Sequence, residues 1–256
     1  MTPSTPRPKS GGERVGAAAL PALPRPPRPA SRREPPRRRT AITAEAIVKA
    51  AIEVLDEAGV EGLTMRRVAD RIGTGPASLY AHVSSKEELL ELVFDELIGQ
   101  VSLPEPSAEH WREQVVELMT GMRAVLLGHP DAALAGLGRV PTSPKVLAAT
   151  EVLTRSMKLG GLSDYVIALG LDQMVLYVTA GVVEDGVFTR SGMTPADIEQ
   201  YYGEIHEYYM ALPASAYPTL THLAADMLDH DGDERFRFGL DVLIAGFEAL
   251  SKRRPR

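Results

Sequence analysis

Residues 63–90 read LTMRRVADRIGTGPASLYAHVSSKEELL and predict two short helices, a tight turn and the start of a third helix. Thr64 is a typical N-cap residue, because its hydroxyl accepts a hydrogen bond from a free N–H of the first helical turn. Gly73 is the residue type that ends a helix in the left-handed conformation, and Pro76 is favoured at the first position of the next helix. This order of elements indicates a helix-turn-helix unit.

The hydrophobic spacing supports this interpretation and sets the two faces of the unit. In the first helix the apolar residues fall at helical spacing, namely Met65, Val68, Ala69 and Ile72. We expect the second helix to run from Pro76 to about His82, with Leu79 and Val83 facing inward. Ser85 and Glu88 form the pattern of a capping box, which opens a longer helix reaching about Gln100.

A further helix precedes the unit and completes a three-helix module. It begins at Thr43, keeps apolar residues at helical spacing and ends at Gly59, which again suits the end of a helix. The helix that follows Ser85 then leads away from the module.

Length and composition limit the class of protein. The chain has 256 residues and no cysteine, which excludes disulfides, a thiol nucleophile and a zinc–cysteine site, and suits a reducing cytoplasm. Val15 to Leu23 is too rich in proline and small residues for a signal peptide. Polar residues interrupt the most apolar stretch, Tyr165 to Val183, so we expect a helix buried from several sides and no membrane span.

Residues 1–39 differ from the rest of the chain in composition. They hold ten of the twenty prolines, ten Lys or Arg and two acidic residues, for a net charge of +8. Subtracting +8 from the −6 of the whole chain leaves −14 from Thr40 onward. A segment with this composition cannot bury enough apolar surface to fold alone, so we expect a disordered arm. It either adds attraction to DNA phosphates or only solvates the chain.

From Pro104 onward, proline and glycine separate longer helical patterns. An apolar stripe runs from Trp111 to Leu126, and further helices are predicted for Pro144 to Leu159, Ser163 to Asp185 and about Asp233 to Leu250. Thr194 and the proline after it begin another. No segment has the pattern of a strand, so the predicted fold class is all-α.

Residues 73–86, GTGPASLYAHVSSK, resemble the recognition helix of the TetR family of transcriptional regulators, and their position between the runs ADRI and EELL makes the resemblance specific. The resemblance extends over about residues 40–250, because the closing run FRFGLDVLIAGFEAL is similar to the tetracycline-repressor subfamily. It implies a regulator, expected to be a repressor, that binds a palindromic DNA operator as a homodimer through its C-terminal helices. A small hydrophobic effector would release it.

The resemblance and the patterns together predict four segments. These are a disordered arm (1–39), a helix-turn-helix DNA-binding domain (40–86), a connecting helix (87–103) and a ligand-binding and dimerisation domain (104–252). Two DNA-binding domains must together contact operator half-sites roughly 34 to 36 Å apart, which also favours a dimer.

The predicted DNA contacts lie in the helix-turn-helix domain of residues 40–86, called the reading unit from here on, and just before it. The resemblance places Arg66 at a guanine edge, while a solvated surface arginine is the simpler alternative. Tyr80 either bonds a phosphate or packs on the first helix, and Lys86 suits a phosphate at a helix N-terminus. The full predicted set is Arg39, Thr64, Arg66, Gly75, Pro76, Ala77, Ser78, Tyr80, His82 and Lys86.

The predicted ligand pocket is implied mainly by the family resemblance. Its predicted residues are Trp111, Met119, Met122, Gly136, Arg139, Gln173, Met174, Tyr177 and Glu184, each of which is also an ordinary core or surface residue type. Gly136 falls where the tetracycline repressor has the histidine that coordinates the drug's magnesium. We therefore expect a different hydrophobic or polycyclic effector, and no metal or cofactor.

Two other functions are possible from the sequence. The acidic body suits a helical protein-interaction module that has lost specific DNA binding. An enzyme is less favoured, because neither a G-x-S-x-G elbow, an H-E-x-x-H pair nor a phosphate-binding glycine loop is present.

Overall fold

The computed structural model describes residues 42–137, 142–228 and 231–253. The predicted arm, which includes Arg39, and the predicted pocket residue Arg139 lie outside these ranges. Within them every regular element is a helix, which confirms the predicted all-α class.

Four helices form the N-terminal part and seven the C-terminal part of the described residues. The first four are α1 (Ala44–Gly62), α2 (Met65–Ile72), α3 (Pro76–Leu79) and α4 (Lys86–Ile98). The others are α5 (Trp111–Leu127), α6 (Pro130–Gly136), α7 (Pro144–Leu159), α8 (Asp164–Arg190), α9 (Pro195–Met210), α10 (Pro218–Leu228) and α11 (Gly232–Arg253).

The local signals in the reading unit act as predicted. The Thr64 hydroxyl accepts from the backbone N–H of Arg67 at 3.2 Å and begins α2. Gly73 ends α2 with φ 77°, a left-handed conformation that glycine adopts without steric cost, and Pro76 is the first residue of α3. The side chains of Leu79 and Val83 are fully buried.

The helix break predicted at Gly59 is present, because the backbone leaves helical geometry there (φ 68°), and a short further turn continues α1 to Gly62. Two other predicted details of these helices are wrong. The helix α3 ends at Leu79 and continues as a turn, in which the His82 N–H donates to the Leu79 carbonyl at 2.8 Å. The Ser85 hydroxyl caps α4, but the Glu88 carboxylate accepts from the Ser84 N–H at 2.7 Å, which leaves the capping box incomplete.

Helix α8 is the central helix of the C-terminal part. It packs against α5, α6, α7 and α11, and by length and mean hydropathy its segment Asp164–Val187 is also long and apolar enough to cross a membrane. Its buried side includes Met174, Val178 and Val182, whereas Leu169 and Leu176 on another side are exposed. Neighbouring helices therefore cover α8 from several directions, as predicted, but one side of the helix is left exposed.

The sequence patterns did not predict helices α6 and α10, or the pairing of α9 with α10. Helix α6 is too short for a periodic signal, yet it packs against α1, α4, α5 and α8. Helices α9 and α10 pack mainly on each other and bury little apart from Ala224, so several large side chains of this pair are exposed.

Candidate DNA-binding surface and ligand cavity

The predicted groove-facing residues of α3 lie on its accessible side. Pro76 and Ala77 are exposed and Ser78 is half-buried, because the opposite side of the helix is anchored by Leu79. The Tyr80 side chain, on the turn after α3, is 55% exposed and so is not packed away against the core. His82 is exposed on the same turn, and Gly75 is the N-cap of α3.

The first two arginines of α2 have different surroundings. The Arg66 side chain is 85% exposed, and its guanidinium lies 4.0 Å from the carboxylate of Asp70. Arg67 donates to the Gly62 carbonyl at 3.2 Å. Of these two side chains, Arg66 therefore has the guanidinium that is more available to a base edge.

Arg71 is engaged by the first helix. Its guanidinium bonds the Glu57 carboxylate, with one nitrogen at 2.9 Å, and reaches Glu53 at 3.2 Å. The hydrogen bond from Arg71 lowers the pKa of the Glu57 carboxyl, and the same bond raises the pKa of Arg71. Arg71 thus serves the α1–α2 contact.

Lys86 makes an internal hydrogen bond that the sequence did not predict. Its ammonium donates to the Val60 carbonyl at 2.6 Å. That carbonyl lies in the last turn of α1, where carbonyls have no partner within the helix. An ammonium has three N–H donors, so this bond leaves donors for a phosphate. Lys86 also joins the start of α4 to the end of α1.

A cavity of about 90 Å³ lies between helix α4 of the N-terminal part and helices α5, α6, α7 and α8 of the C-terminal part. Most of its lining is apolar. The lining residues are Glu91, Phe94, Ile98, Val101, Leu118, Met119, Met122, Ala135, Gly136, Thr142, Ser143, Val146, Ala149, Thr150, Leu153, Leu171 and Val175. Helix α4 therefore begins at the reading unit and forms one wall of the cavity.

Three of the predicted pocket residues line this cavity, namely Met119, Met122 and Gly136. Trp111 does not, because its ring packs on Gly160 at the far end of α5, and Met174 is fully buried in the core. Arg139 lies outside the described residues.

The other predicted pocket residues have different contacts. Tyr177 donates to the carbonyls of Arg235 and Phe236 at 3.2 Å, and its ring stacks on Phe236. Gln173 lines a shallow depression between α8 and α11, and Glu184 is an exposed partner of Arg235 at 3.4 Å. These positions are on faces of α8 that turn away from the cavity.

Most of the cavity lining was not predicted from the sequence, including Phe94, Ile98, Val146 and Leu153. All four carry the ordinary apolar signal of a helix face directed at a core. Periodicity finds that face but does not tell a filled core from a cavity.

Helix α7 is capped by a residue from α4. Its own N-cap, Ser143, makes no side-chain cap, and the Asp95 carboxylate accepts from the N–H groups of Lys145 and Val146 at 2.9 and 3.0 Å. The Lys145 ammonium donates to Glu96, also on α4, at 2.6 Å. Asp95 is buried, so this cap holds two cavity walls together.

Two further polar contacts connect helices over long sequence distances. The buried Arg123 of α5 bonds Asp185 of α8 at 3.1 Å and Asp233 of α11 at 2.5 Å, and its guanidinium lies 4.9 Å from the centre of the Phe236 ring. His129, before α6, bonds Asp56 of α1 at 2.8 Å. The second contact joins the reading unit to the C-terminal part. In the described part of the chain, no group of three His, Asp or Glu side chains is placed to hold a metal ion.

Comparison with known proteins places both parts of the chain in one family. Residues 47–93 match the model of bacterial regulatory proteins of the tetR family, and residues 103–251 match the tetracyclin repressor-like C-terminal domain. An HTH-type transcriptional regulator of Saccharopolyspora erythraea is 32% identical over 211 residues, which cover 82% of this chain and 86% of the relative.

Two other relatives carry more specific descriptions. The HTH-type transcriptional repressor DrrR1 of Streptomyces coeruleorubidus is 28% identical over 83% of this chain and 80% of its own length. The crystal structure of the Streptomyces coelicolor TetR family protein ActR in complex with actinorhodin superposes with a TM-score of 0.74 at 38% identity, covering 83% of this chain and 99% of ActR. This chain therefore belongs to the TetR family, and it is a ligand-responsive, DNA-binding transcriptional regulator and not an enzyme.

Proposed function

We propose that this chain represses transcription by binding a two-fold symmetric operator as a homodimer, and that a small apolar effector releases it. The observation that carries the proposal is the position of α4. Its first residue, Lys86, bonds α1 of the reading unit, and Phe94 and Ile98 of the same helix line the cavity. A ligand that displaces α4 therefore also displaces the reading unit.

The exposed apolar surface of α8 and α11 supports a homodimer. Leu169 and Leu176 on α8 and Phe238 and Val242 on α11 are large apolar side chains that are exposed in the single chain. Large exposed apolar side chains on two helices that pack together are typical of an interaction site. A second copy is the partner that a symmetric operator requires, because two reading helices must meet half-sites about one helical turn apart.

The cavity lining supports an apolar effector. The lining includes three methionine or aromatic side chains, Phe94, Met119 and Met122, which make a soft and adaptable surface. By the family resemblance, Gly136 stands where the tetracycline repressor has its magnesium-binding histidine, and it offers no imidazole, so we do not propose a magnesium–tetracycline complex. ActR, which is similar in structure, binds actinorhodin, and this relative supports a small-molecule effector here.

Effector binding requires the cavity to grow. Drug-sized ligands occupy pockets of roughly 300 to 1,000 Å³, whereas this cavity measures about 90 Å³. The walls that separate include α4, which is held to α7 by Asp95. In our proposal the effector pushes α4 away from α7 and changes the distance between the two reading units of the dimer. Effector and operator affinities are then reciprocally coupled.

Helix α6 offers a second connection between the two sites. Ala135 and Gly136 at its end line the cavity, while His129 before its start bonds Asp56 on α1. A shift of this short helix therefore reaches the reading unit without passing through α4.

We also propose the four segments predicted from the sequence as the functional division of the chain. The basic arm (1–39) would add contacts to DNA phosphates, and the reading unit (40–86) would recognise the operator sequence. The connecting helix (87–103) would couple DNA binding to effector binding. The remainder (104–252) would bind the effector and form the dimer. A cytoplasmic location fits both the lack of cysteine and access to DNA.

The central test is a fluorescence anisotropy titration of the full chain against its own upstream DNA. We expect a specific complex that weakens steeply with salt, and release by the small molecules extracted from the purified protein. Arg155→Ala is the control, because it removes an exposed arginine outside the reading unit. This variant should still form the specific complex and should still release DNA when the small molecules are added. A complex that does not distinguish upstream DNA from unrelated DNA would instead favour the protein-interaction module.

A further inference from the structure

Phe94 is the aromatic side chain of the described cavity lining, and it projects from the middle of α4. The residue is only 9% exposed, so its ring belongs to the interior. Its helical neighbours Glu91 and Ile98, one turn before and after, line the same cavity. The ring is therefore at the centre of the wall that α4 contributes.

The Phe94 ring lies directly on the backbone of Gly136 at the end of α6. A Cβ atom added to Gly136 would lie 2.6 Å from the Cζ atom of Phe94 and 2.7 Å from Cε2. Contacts this short do not occur between real side chains, so any larger residue at 136 forces the ring to move. The ring occupies space that a side chain at position 136 would otherwise take.

The size of the cavity makes this placement consequential. A cavity of about 90 Å³ is smaller than a typical ligand site of roughly 300 to 1,000 Å³. Most other lining side chains are aliphatic, methionine or small, so the Phe94 ring is the largest rigid group that limits the space. Protein interiors are close-packed, and removing such a ring changes the volume more than shifting an aliphatic side chain does.

We propose that Phe94 is a specificity-determining residue, which sets the largest effector that the cavity admits, and that Gly136 determines where its ring rests. A ligand with one ring fits beside Phe94, whereas a ligand with three fused rings must displace it. The proposal rests on the proposed function, since it takes the cavity as the effector site. Beyond that function, it identifies the side chain that selects effectors by size.

The test uses a homologous series of probes with one, two and three fused rings, namely phenol, 2-naphthol and 9-phenanthrol. Affinities are measured by calorimetry with the full chain, and the methyl NMR signals of Met119 and Met122 report whether each probe occupies the cavity. The variants are Phe94→Ala, Phe94→Leu and Gly136→Ala. Phe247→Leu is the matched control, because Phe247 is a buried phenylalanine that contacts Gly170 and does not line the cavity.

We expect Phe94→Ala to raise the affinity for 9-phenanthrol by about tenfold or more, because small changes in the volume of an apolar pocket alter affinity by factors of this size. The affinity for phenol should stay nearly unchanged. Phe94→Leu should lie between, and it keeps the proposal testable if the alanine variant does not fold. Gly136→Ala should weaken the binding of 2-naphthol, because the ring is pushed into the cavity. Phe247→Leu should leave the order of affinities as in the wild type.

Two results would overturn the inference in distinguishable ways. If the probes shift the Met119 and Met122 signals but Phe94→Leu and Phe94→Ala leave the dependence on size unchanged, Phe94 does not select effectors and the cavity remains the effector site. If no probe shifts these signals in the wild type or in any variant, the effector site itself is misplaced and the inference fails with it.

Discussion

Arg66 and Lys86 are both cations of the reading unit, but their surroundings assign them different tasks. The Arg66 side chain extends into solvent with only a distant carboxylate, whereas the Lys86 ammonium is hydrogen bonded to the Val60 carbonyl. An exposed guanidinium can form two parallel hydrogen bonds to a guanine edge, while an ammonium acts as a point charge. Replacing the two residues should therefore have different effects on DNA binding.

Arg66→Ala should reduce operator affinity through a single base pair. A bidentate arginine–guanine contact contributes about 1 to 3 kcal/mol of discrimination, so the variant should bind the operator more weakly and tolerate substitution at one position in each half-site. Anisotropy titrations against a set of single-base operator variants measure this. Equal weakening on every sequence would show that Arg66 contacts only the backbone.

Lys86→Met should weaken binding to all DNA sequences alike and also destabilise the fold. It removes a charge near the start of α4 and leaves the Val60 carbonyl without its donor, a cost of about 1 to 2 kcal/mol for a partly buried charged hydrogen bond. Urea unfolding and titrations with specific and unrelated DNA give the two effects separately. Lys252→Met, an exposed lysine at the end of α11, is the control. Unchanged stability would argue against the Val60 bond.

At the scale of elements, α4 and α7 are held together by an unusual cap. The first turn of a helix has free N–H groups, and they are normally satisfied by the residue just before the helix. In α7 the buried Asp95 of α4 accepts from two of them. One buried carboxylate therefore contributes directly to the stability of these two cavity walls.

Asp95→Ala should lower the free energy of unfolding by about 1 to 3 kcal/mol, the cost of leaving buried N–H groups without an acceptor. Asp95→Asn keeps an acceptor oxygen in place and should lose less. Urea denaturation of both variants measures the difference, with Glu199→Ala on the exposed side of α9 as control. Wild-type stability in Asp95→Ala would mean that water replaces the carboxylate at no cost.

At the scale of the whole molecule, the apolar surfaces of α8 and α11 predict the assembly. Leu169 is 54% exposed and Phe238 71% exposed in the single chain. Leu169→Glu and Phe238→Glu should convert a dimer to a folded monomer, because a buried charge without a partner strongly disfavours association. Analytical ultracentrifugation measures the oligomeric state, and operator affinity should fall when the dimer is lost.

Leu103→Glu provides the comparison for this experiment. Leu103 is an exposed apolar residue after α4, outside α8 and α11. This variant should remain dimeric, so an effect of Leu169→Glu or Phe238→Glu reports the position and not the added charge. A dimer that survives both glutamates would place the interface elsewhere.

The basic arm is the second feature at this scale. The chain carries +8 in residues 1–39 and −14 in the remainder, so the arm supplies positive charge that the acidic body lacks. Deletion of residues 1–36 should reduce the slope of log affinity against log salt by about 0.9 for each phosphate that the arm neutralises in the full chain. Titrations of both chains over a range of salt concentrations measure the two slopes. An unchanged slope would leave the arm as a solvating tail.

The sequence by itself determined the local events of the fold. The cap at Thr64, the left-handed end at Gly73 and the first position of α3 at Pro76 each depend on contacts within a few residues, and the structure confirms them. The family also followed from such a local run, because a reading helix is built from consecutive residues.

Only the tertiary structure decided the contacts between distant helices. Asp95 caps a helix fifty residues away, Lys86 bonds the end of α1, and the Phe94 ring rests on Gly136. None of these has a sequence period, since each depends on how two helices approach in space. For the same reason the cavity lining was only partly predicted: hydrophobic spacing identifies the side of a helix that is buried, and packing alone determines where the buried sides leave room.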